Sequence, residues 1–263
     1  MDNRVKTEER YRMQIKWNMK TTEWFHRASD YTGFHDRLAE ILEVFIGEGK
    51  SMIDLGCGAG LIDFKLAKKM DYITCVDREE MVIYMLRDEI SHKGLSNIQA
   101  ILADINNLLK TQSIPDEDKL WDIGLMLFVN AQSFPVKELL KLVKDRLLIV
   151  ERGGCINNPY VGERAQKEHS LLPVINYLFH EGIRAHVTDY TLEYGQPFVS
   201  LKEAKEYVEF YHKNSCNESI EHYLHNNIVT TDRVPYRYYL PYKKHFGVFE
   251  IKKSENMHLV AGL

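Results

Sequence analysis

Three glycines at alternate positions, Gly56, Gly58 and Gly60, follow a carboxylate, Asp54, in the run SMIDLGCGAG from Ser51 to Gly60. Glycine lets a backbone approach a ligand where any Cβ would collide. A helix starting after the run would turn its free N–H groups toward the same ligand. Asp54 narrows the choice of ligand, since it would repel a pyrophosphate and attract an ammonium or a ribose. The dinucleotide fingerprint asks for glycine at its first, third and sixth positions. Counted from Gly56, the sixth position is Leu61, and the fingerprint fails there. Further along, Tyr72 to Val76 is a short β-rich run that ends in Asp77. An acid about twenty positions past such a loop suits a ribose diol, because one carboxylate can accept both hydroxyl protons. Asp77 could equally cap a helix over 79–87. Asp104, after the apolar run Ile98 to Leu102, has the same two readings, ligand or cap.

The order acidic–x–Gly–x–Gly–x–Gly at 54–60 resembles the nucleoside loop of the class I S-adenosylmethionine-dependent methyltransferases at every defined position. The resemblance implies S-adenosyl-L-methionine as cofactor. It places Asp54, Gly56, Cys57, Gly58 and Gly60 in the loop around it, and Asp77 with its neighbour Arg78 at the ribose. It puts Asp104 on the adenine amino group. Met81 and Ile105 become candidate adenine walls, with core packing as the alternative. Tyr31 joins the set because helices before the first strand often cover the cofactor in this family. In one branch, an Asn–Pro–Pro–aromatic motif opens at the end of strand four. Here that position reads Asn130–Ala–Gln–Ser, so the motif is absent and nucleobase-N6 and glutamine methylation lose support. Asn130 remains the candidate substrate contact, against a loop-capping role. Asn157 to Tyr160 follows the fifth strand and reads as a turn. No residue stands out as catalytic. Placing and desolvating the partners can supply much of the rate, so a dedicated base is not obligatory.

The formal net charge of −4 argues against a nucleic-acid partner, which usually needs a basic patch. The paired lysines, Lys243 and Lys244 among them, read as solvated element ends. Cys57, Cys75, Cys155 and Cys216 show neither metal-ligand nor disulfide spacing, and Cys57 and Cys75 read as small buried residues. Eleven histidines offer no third ligand at motif spacing, so no metal is expected. The first twenty residues lack an apolar h-region, and no stretch approaches a membrane span of about 20 apolar residues. The expectation is a cytoplasmic protein with no membrane partner.

The elements that must position these residues alternate. Helices are expected at 5–32 and 34–46, then strands at 51–55, 72–76, 98–102, 120–128 and 146–151, separated by helices at 60–70, 79–93 and 133–144. A helix at 163–180, bent near Pro173, and strands at 183–194 and 245–252 complete the set. Strand–helix alternation implies an α/β fold with a doubly wound, mostly parallel seven-stranded sheet. The stretch between the last two strands is too long for a structureless loop. It reads as an inserted cap, with helices at 201–212 and 218–225 and then an aromatic loop. The expected organisation is an N-terminal helical lid at 1–47, a cofactor-binding core at 48–195, the cap at 196–244, and the last strand and tail at 245–263. The expected function is methyl transfer to a small molecule, with RNA or protein methylation, or a catalytically silent cofactor binder, as alternatives. Acceptor atom, substrate and oligomeric state are not legible.

Overall fold

The computed structural model describes residues 18–111, 120–155, 171–212 and 215–260. Two helices, α1 (Met19–Thr32) and α2 (Phe34–Ile46), precede the sheet. Then come β1 (Ser51–Leu55), α3 (Leu61–Leu66), β2 (Tyr72–Asp77), α4 (Glu80–His92), β3 (Ile98–Leu102), α5 (Ile105–Thr111) and β4 (Trp121–Leu127). A short 3-10 turn at Ala131–Ser133 leads into α6 (Val136–Lys141), β5 (Val143–Cys155), α7 (Leu172–His180) and β6 (His186–Glu193). The cap holds β7 (Gln196–Phe198), α8 (Leu201–Tyr211), α9 (Asn217–Asn227), β8 (Val229–Thr230) and β9 (Tyr238–Leu240). Strand β10 (Lys243–Lys252) and helix α10 (Met257–Val260) follow.

The main sheet runs β3-β2-β1-β4-β5-β10-β6. All pairs among its first five strands are parallel, and β10 runs antiparallel to both β5 and β6. Chain order reverses between β1 and β4, which opens a crevice at their carboxyl ends. Antiparallel β10 begins at that same edge, where Lys244 pairs with Leu192 of β6 and Cys155 of β5.

Period-2 alternation divides the strand residues between two cores. Met52, Ile123, Leu148, Val150, Phe246 and Val248 pack with α2, α3 and α4 on one face. Ile53, Leu55, Leu147, Ile149, Phe249 and Ile251 pack with α6 and α7 on the other. β1 and β4 are buried almost throughout, as strands covered on both faces must be.

Four sequence expectations change. Only 19–32 of the expected first helix forms α1, started by a reciprocal Asn18–Thr21 capping box; residues 5–17 lie outside the described residues. The expected 133–144 helix is α6 alone, because the chain turns through the 3-10 segment first and β5 has already begun at Val143. Of the expected helix 163–180, the described part is α7, with Pro173 in its first turn, where proline lacks only an N–H that is unpaired anyway; residues 163–170 lie outside the described residues. The expected aromatic loop of the cap is partly sheet: β9 pairs antiparallel with β7 and β8. The cap has its own core of Phe198, Ala204, Val208, Ile220, Leu224 and Leu240.

Candidate active site

The loop after β1 is held by backbone bonds, since the N–H groups of Gly56 and Cys57 both donate to Val76 O, at 2.7 and 3.1 Å. Gly56, Gly58 and Gly60 all take left-handed φ, at 86°, 53° and 68°. At two of them glycine is also required by packing against the protein itself. A Cβ on Gly56 would stand 2.4 Å from Val129 Cγ1, and one on Gly60 2.5 Å from Leu86 Cδ1. The spacing that reads as ligand approach is therefore also the means by which the loop fits against the β4 exit and α4.

Asp77 ties the loop down. Its Oδ2 accepts from Gly58 N and its Oδ1 from Glu79 N, each at 3.0 Å. The N-cap of α4 is Glu79, so Asp77 is not that cap. Each Asp77 oxygen keeps a further lone pair for a ligand hydroxyl. Arg78 is exposed and lies 3.6 Å from Glu79. Met81, 42 % exposed, is outside the core, whereas Ile105 is inside it. Asp104 begins α5: its Oδ1 accepts from Asn106 N at 2.8 Å, and its carbonyl from Leu108 N at 2.9 Å.

Asp54 is sealed beneath the loop with Asp63 of α3, both at 0 % exposure. No described N–H or O–H donates to any of their four carboxylate oxygens. Burial, then the Asp63 charge, pushes Asp54 well above the usual carboxylate range. Burial also raises Asp63, but the Asp54 carboxyl and the Cys75 thiol pull it part of the way back, to about 6. Burial thus holds both carboxyls toward the protonated form. Cys57 is no nucleophile: contact with the Cys75 thiol would lower its pKa, but burial and the Asp54, Asp63 and Asp77 charges outweigh it, to about 12.

Beyond β4, Phe128 and Asn130 both take left-handed φ, at 57° and 58°. For an aromatic residue this is strained, on the order of 1–3 kcal/mol, and such residues cluster at ligand sites. Asn130 Nδ2 donates to Ser133 Oγ at 2.9 Å, so the side chain closes the 3-10 turn. Glu151 accepts from Ala131 N at 2.5 Å and holds that turn against β5.

Tyr31 stands in the joint between α1 and the cap. It stacks on Tyr239 at 4.8 Å, the Arg233 guanidinium lies 4.1 Å from its ring centroid, and its hydroxyl bonds Thr231 Oγ1 at 2.7 Å. Trp24, 2 % exposed, fills the same joint against Tyr207 and Phe210, at 5.1 and 6.0 Å. Arg27 reaches Glu203 at 2.6 Å.

Lys244 corrects the reading of the paired lysines as solvated ends. It is 6 % exposed, and its ammonium lies over the rings of Phe128, Tyr194 and Phe34, at 3.5, 5.0 and 5.2 Å. Strand alternation was the available signal, because Phe246 and Val248 face the first core and Lys244 shares their phase. Asp63 was missed for a similar reason: it lies in the apolar phase of α3 with Ile62 and Leu66.

A model of the methyltransferase domain matches residues 46–147, which span β1 to β5 and every residue of the glycine loop. Residues 46–147 are thus similar to a methyltransferase domain. The likeness of this domain to solved structures is one of fold. A methyltransferase-fold structure from Bacillus halodurans C-125 superposes at TM-score 0.50, with 16% identity, over 82% of this chain and 98% of that one. The magnesium protoporphyrin IX methyltransferase of Synechocystis PCC 6803 is 11% identical, covers 93% of each chain, and has a TM-score of 0.49. In sequence, the domain is 27% identical over 132 residues to (S)-coclaurine N-methyltransferase of Thalictrum flavum subsp. glaucum. That match takes in 47% of this chain and 36% of the relative, so the chain spans about a third of that protein's length. Among the described residues no helix is long and apolar enough to cross a membrane.

Proposed function

We propose that this protein transfers the methyl group of S-adenosyl-L-methionine to a small-molecule acceptor in the cytoplasm. The observation that carries the reading is the buried Asp54–Asp63 pair, whose four oxygens no described N–H or O–H partners, beneath a left-handed glycine loop at the sheet's switch point. A cationic ligand above that loop suits those carboxyls, and a dinucleotide pyrophosphate does not.

The residues divide the work. The 56–60 loop brings backbone close to the ligand, with Cys57 inside it as a packed, inert side chain. Asp77 keeps lone pairs for two ribose hydroxyls while its other lone pairs fix the loop to α4. Arg78 and Met81 flank the ribose and adenine from the start of α4, and Met81 offers an apolar face that the core does not use. Asp104 presents its second oxygen to the adenine amino group, and Ile105 backs the ring from the core side. The cofactor when bound supplies an electrophilic methyl on a sulfonium. α1 and the cap, joined at Tyr31 and Trp24, form a lid that excludes water and orients the acceptor, and Asn130 lies at the acceptor end. The curated relative's name, a coclaurine N-methyltransferase, supports a small organic acceptor. So does the chain's acidic balance, which offers little to a nucleic-acid backbone.

Calorimetry with S-adenosylhomocysteine tests the cofactor half. Asp77→Asn should weaken binding more than tenfold, because a charge-assisted hydrogen bond is worth about 1.5–3 kcal/mol. Asp77→Ala should also lower the stability of the ligand-free protein, since Gly58 N and Glu79 N lose their acceptor. Unchanged affinity in a folded Asp77→Asn protein would end the ribose assignment.

A further inference from the structure

Lys244 is costly where it stands, and nothing in the cofactor half explains it. It is the second residue of β10, at the carboxyl edge of the parallel strands and on the same face as Asp54. Among the described residues its Nζ has no hydrogen bond and no carboxylate within ion-pair range. Burial, and then the nearby Arg152 charge, holds its pKa well below that of an ordinary lysine. The ring faces of Phe34, Phe128 and Tyr194 attract the ammonium but do not replace a counter-ion.

Two further observations lie beside it. The Tyr194 hydroxyl is fully buried and has no partner among the described residues. Arg152 of β5 shares the space, with its guanidinium 6.0 Å from the Phe128 ring centroid. The same Phe128 holds the strained backbone at the exit of β4, two positions before the candidate acceptor contact, Asn130. The region therefore gathers a buried amine without a counter-ion, a guanidinium and an unpaired hydroxyl around aromatic walls, on the acceptor side of the crevice.

We propose that Lys244 and the Tyr194 hydroxyl form an anion-binding subsite, and that the methyl acceptor is an aromatic or similarly flat organic acid whose carboxylate they hold. The proposal rests on the methyltransferase reading above and adds the class of substrate. The bound carboxylate supplies the counter-ion that Lys244 lacks and accepts a hydrogen bond from Tyr194. The ring of the partly buried Phe128 receives the flat body of the acid. Asp54 with Asp63 and Lys244 with Arg152 then divide the face by charge: the first pair favours the cationic cofactor, the second an anionic acceptor.

The test uses the full-length protein saturated with S-adenosylhomocysteine, and benzoate, benzamide and benzylamine as probes read by calorimetry. Benzoate should bind more tightly than its neutral isostere benzamide. Lys244→Met should weaken benzoate at least tenfold and leave benzamide unchanged, and Tyr194→Phe should weaken benzoate severalfold. In the wild-type protein, NMR of 13C-labelled lysine should show Lys244 gaining charge when benzoate binds, which needs no variant. Benzoate binding no tighter than benzamide, or benzylamine as the preferred probe, would overturn the proposal. A second arm compares S-adenosylhomocysteine with methylthioadenosine, which lacks the amino-acid carboxylate. If Lys244→Met weakens the first and spares the second, the subsite serves the cofactor's own carboxylate and the acceptor assignment falls. Intact S-adenosylhomocysteine binding with no benzoate preference would sink this inference alone and spare the methyltransferase reading.

Discussion

Replacing Asp63 by asparagine should make the ligand-free protein more stable and the cofactor complex weaker. Asp63 is fully buried, and its pKa rises from 3.8 to about 6 on folding. A folded-state pKa raised in an acid means that the folded chain keeps a proton which the unfolded chain releases. Below about pH 4 both states hold the proton and the group costs nothing. Between pH 4 and 6 stability falls as pH rises, and above 6 the full penalty persists. A shift of about two units at 1.36 kcal/mol per unit gives roughly 3 kcal/mol at pH 7. Asparagine removes the titration, and its NH2 can donate to Asp54, so part of that penalty should return as stability. The assay is urea unfolding of wild type and Asp63→Asn at pH 4, 5, 6 and 7 without ligand. The difference between them should be near zero at pH 4 and grow toward about 2–3 kcal/mol at pH 7. S-adenosylhomocysteine affinity at pH 7 should fall, because the buried charge beneath the loop is diminished. A difference that does not change with pH would refute the raised pKa of Asp63, as would a variant less stable than wild type at pH 7.

Two further outcomes follow from packing. Gly56→Ala forces a left-handed alanine whose Cβ overlaps Val129, and should cost about 2–4 kcal/mol in urea unfolding. Gly33→Ala, left-handed at φ 66° with open space around it, should cost only the backbone share, so equal losses would show that the Val129 contact is unimportant. Trp24→Ala should cost about 3–5 kcal/mol, and hydrogen exchange should rise in 201–211 and 217–227 ahead of the main sheet. Uniform loss of protection across the sheet would show that the α1–cap joint is no separate unit.

The parallel half of the sheet and its glycine loop were legible because their signals are local. The strand–glycine–helix run, the acid at the end of β2 and the apolar run of β4 each declare themselves within a few residues. Strands β1 and β3 run over the expected residues, and the sheet has the expected strand count and winding. What sequence left out depends on pairing across the chain. Residues 196–198 carry no strand signal of their own length, and become β7 because Tyr238 to Leu240 lie opposite them. The Tyr31 ring reads as a cofactor cover in sequence, yet its neighbours lie some 200 positions away, at Thr231, Arg233 and Tyr239. Asp63 and Lys244 were readable in phase with apolar neighbours. Their charge argued for the surface more strongly than the phase argued for the interior.

The place of β10 also bears on how the chain is made. Among the described residues β6 lies at the sheet's edge and pairs with β10, which in turn separates it from β5. β6 is synthesised before the cap, and β10 after it. Until β10 emerges from the ribosome, β6 has no strand to pair with and the outer edge of β5 stays open. A chain stopped within the cap would contain the whole glycine loop and the acids around it, and also a long apolar strand edge available to any other nascent chain. Strand β10, made after the cap, is therefore the one that closes the sheet against association, and it also delivers Lys244 to the crevice. Loss of the C-terminal quarter should show first as insolubility and only second as loss of acceptor binding.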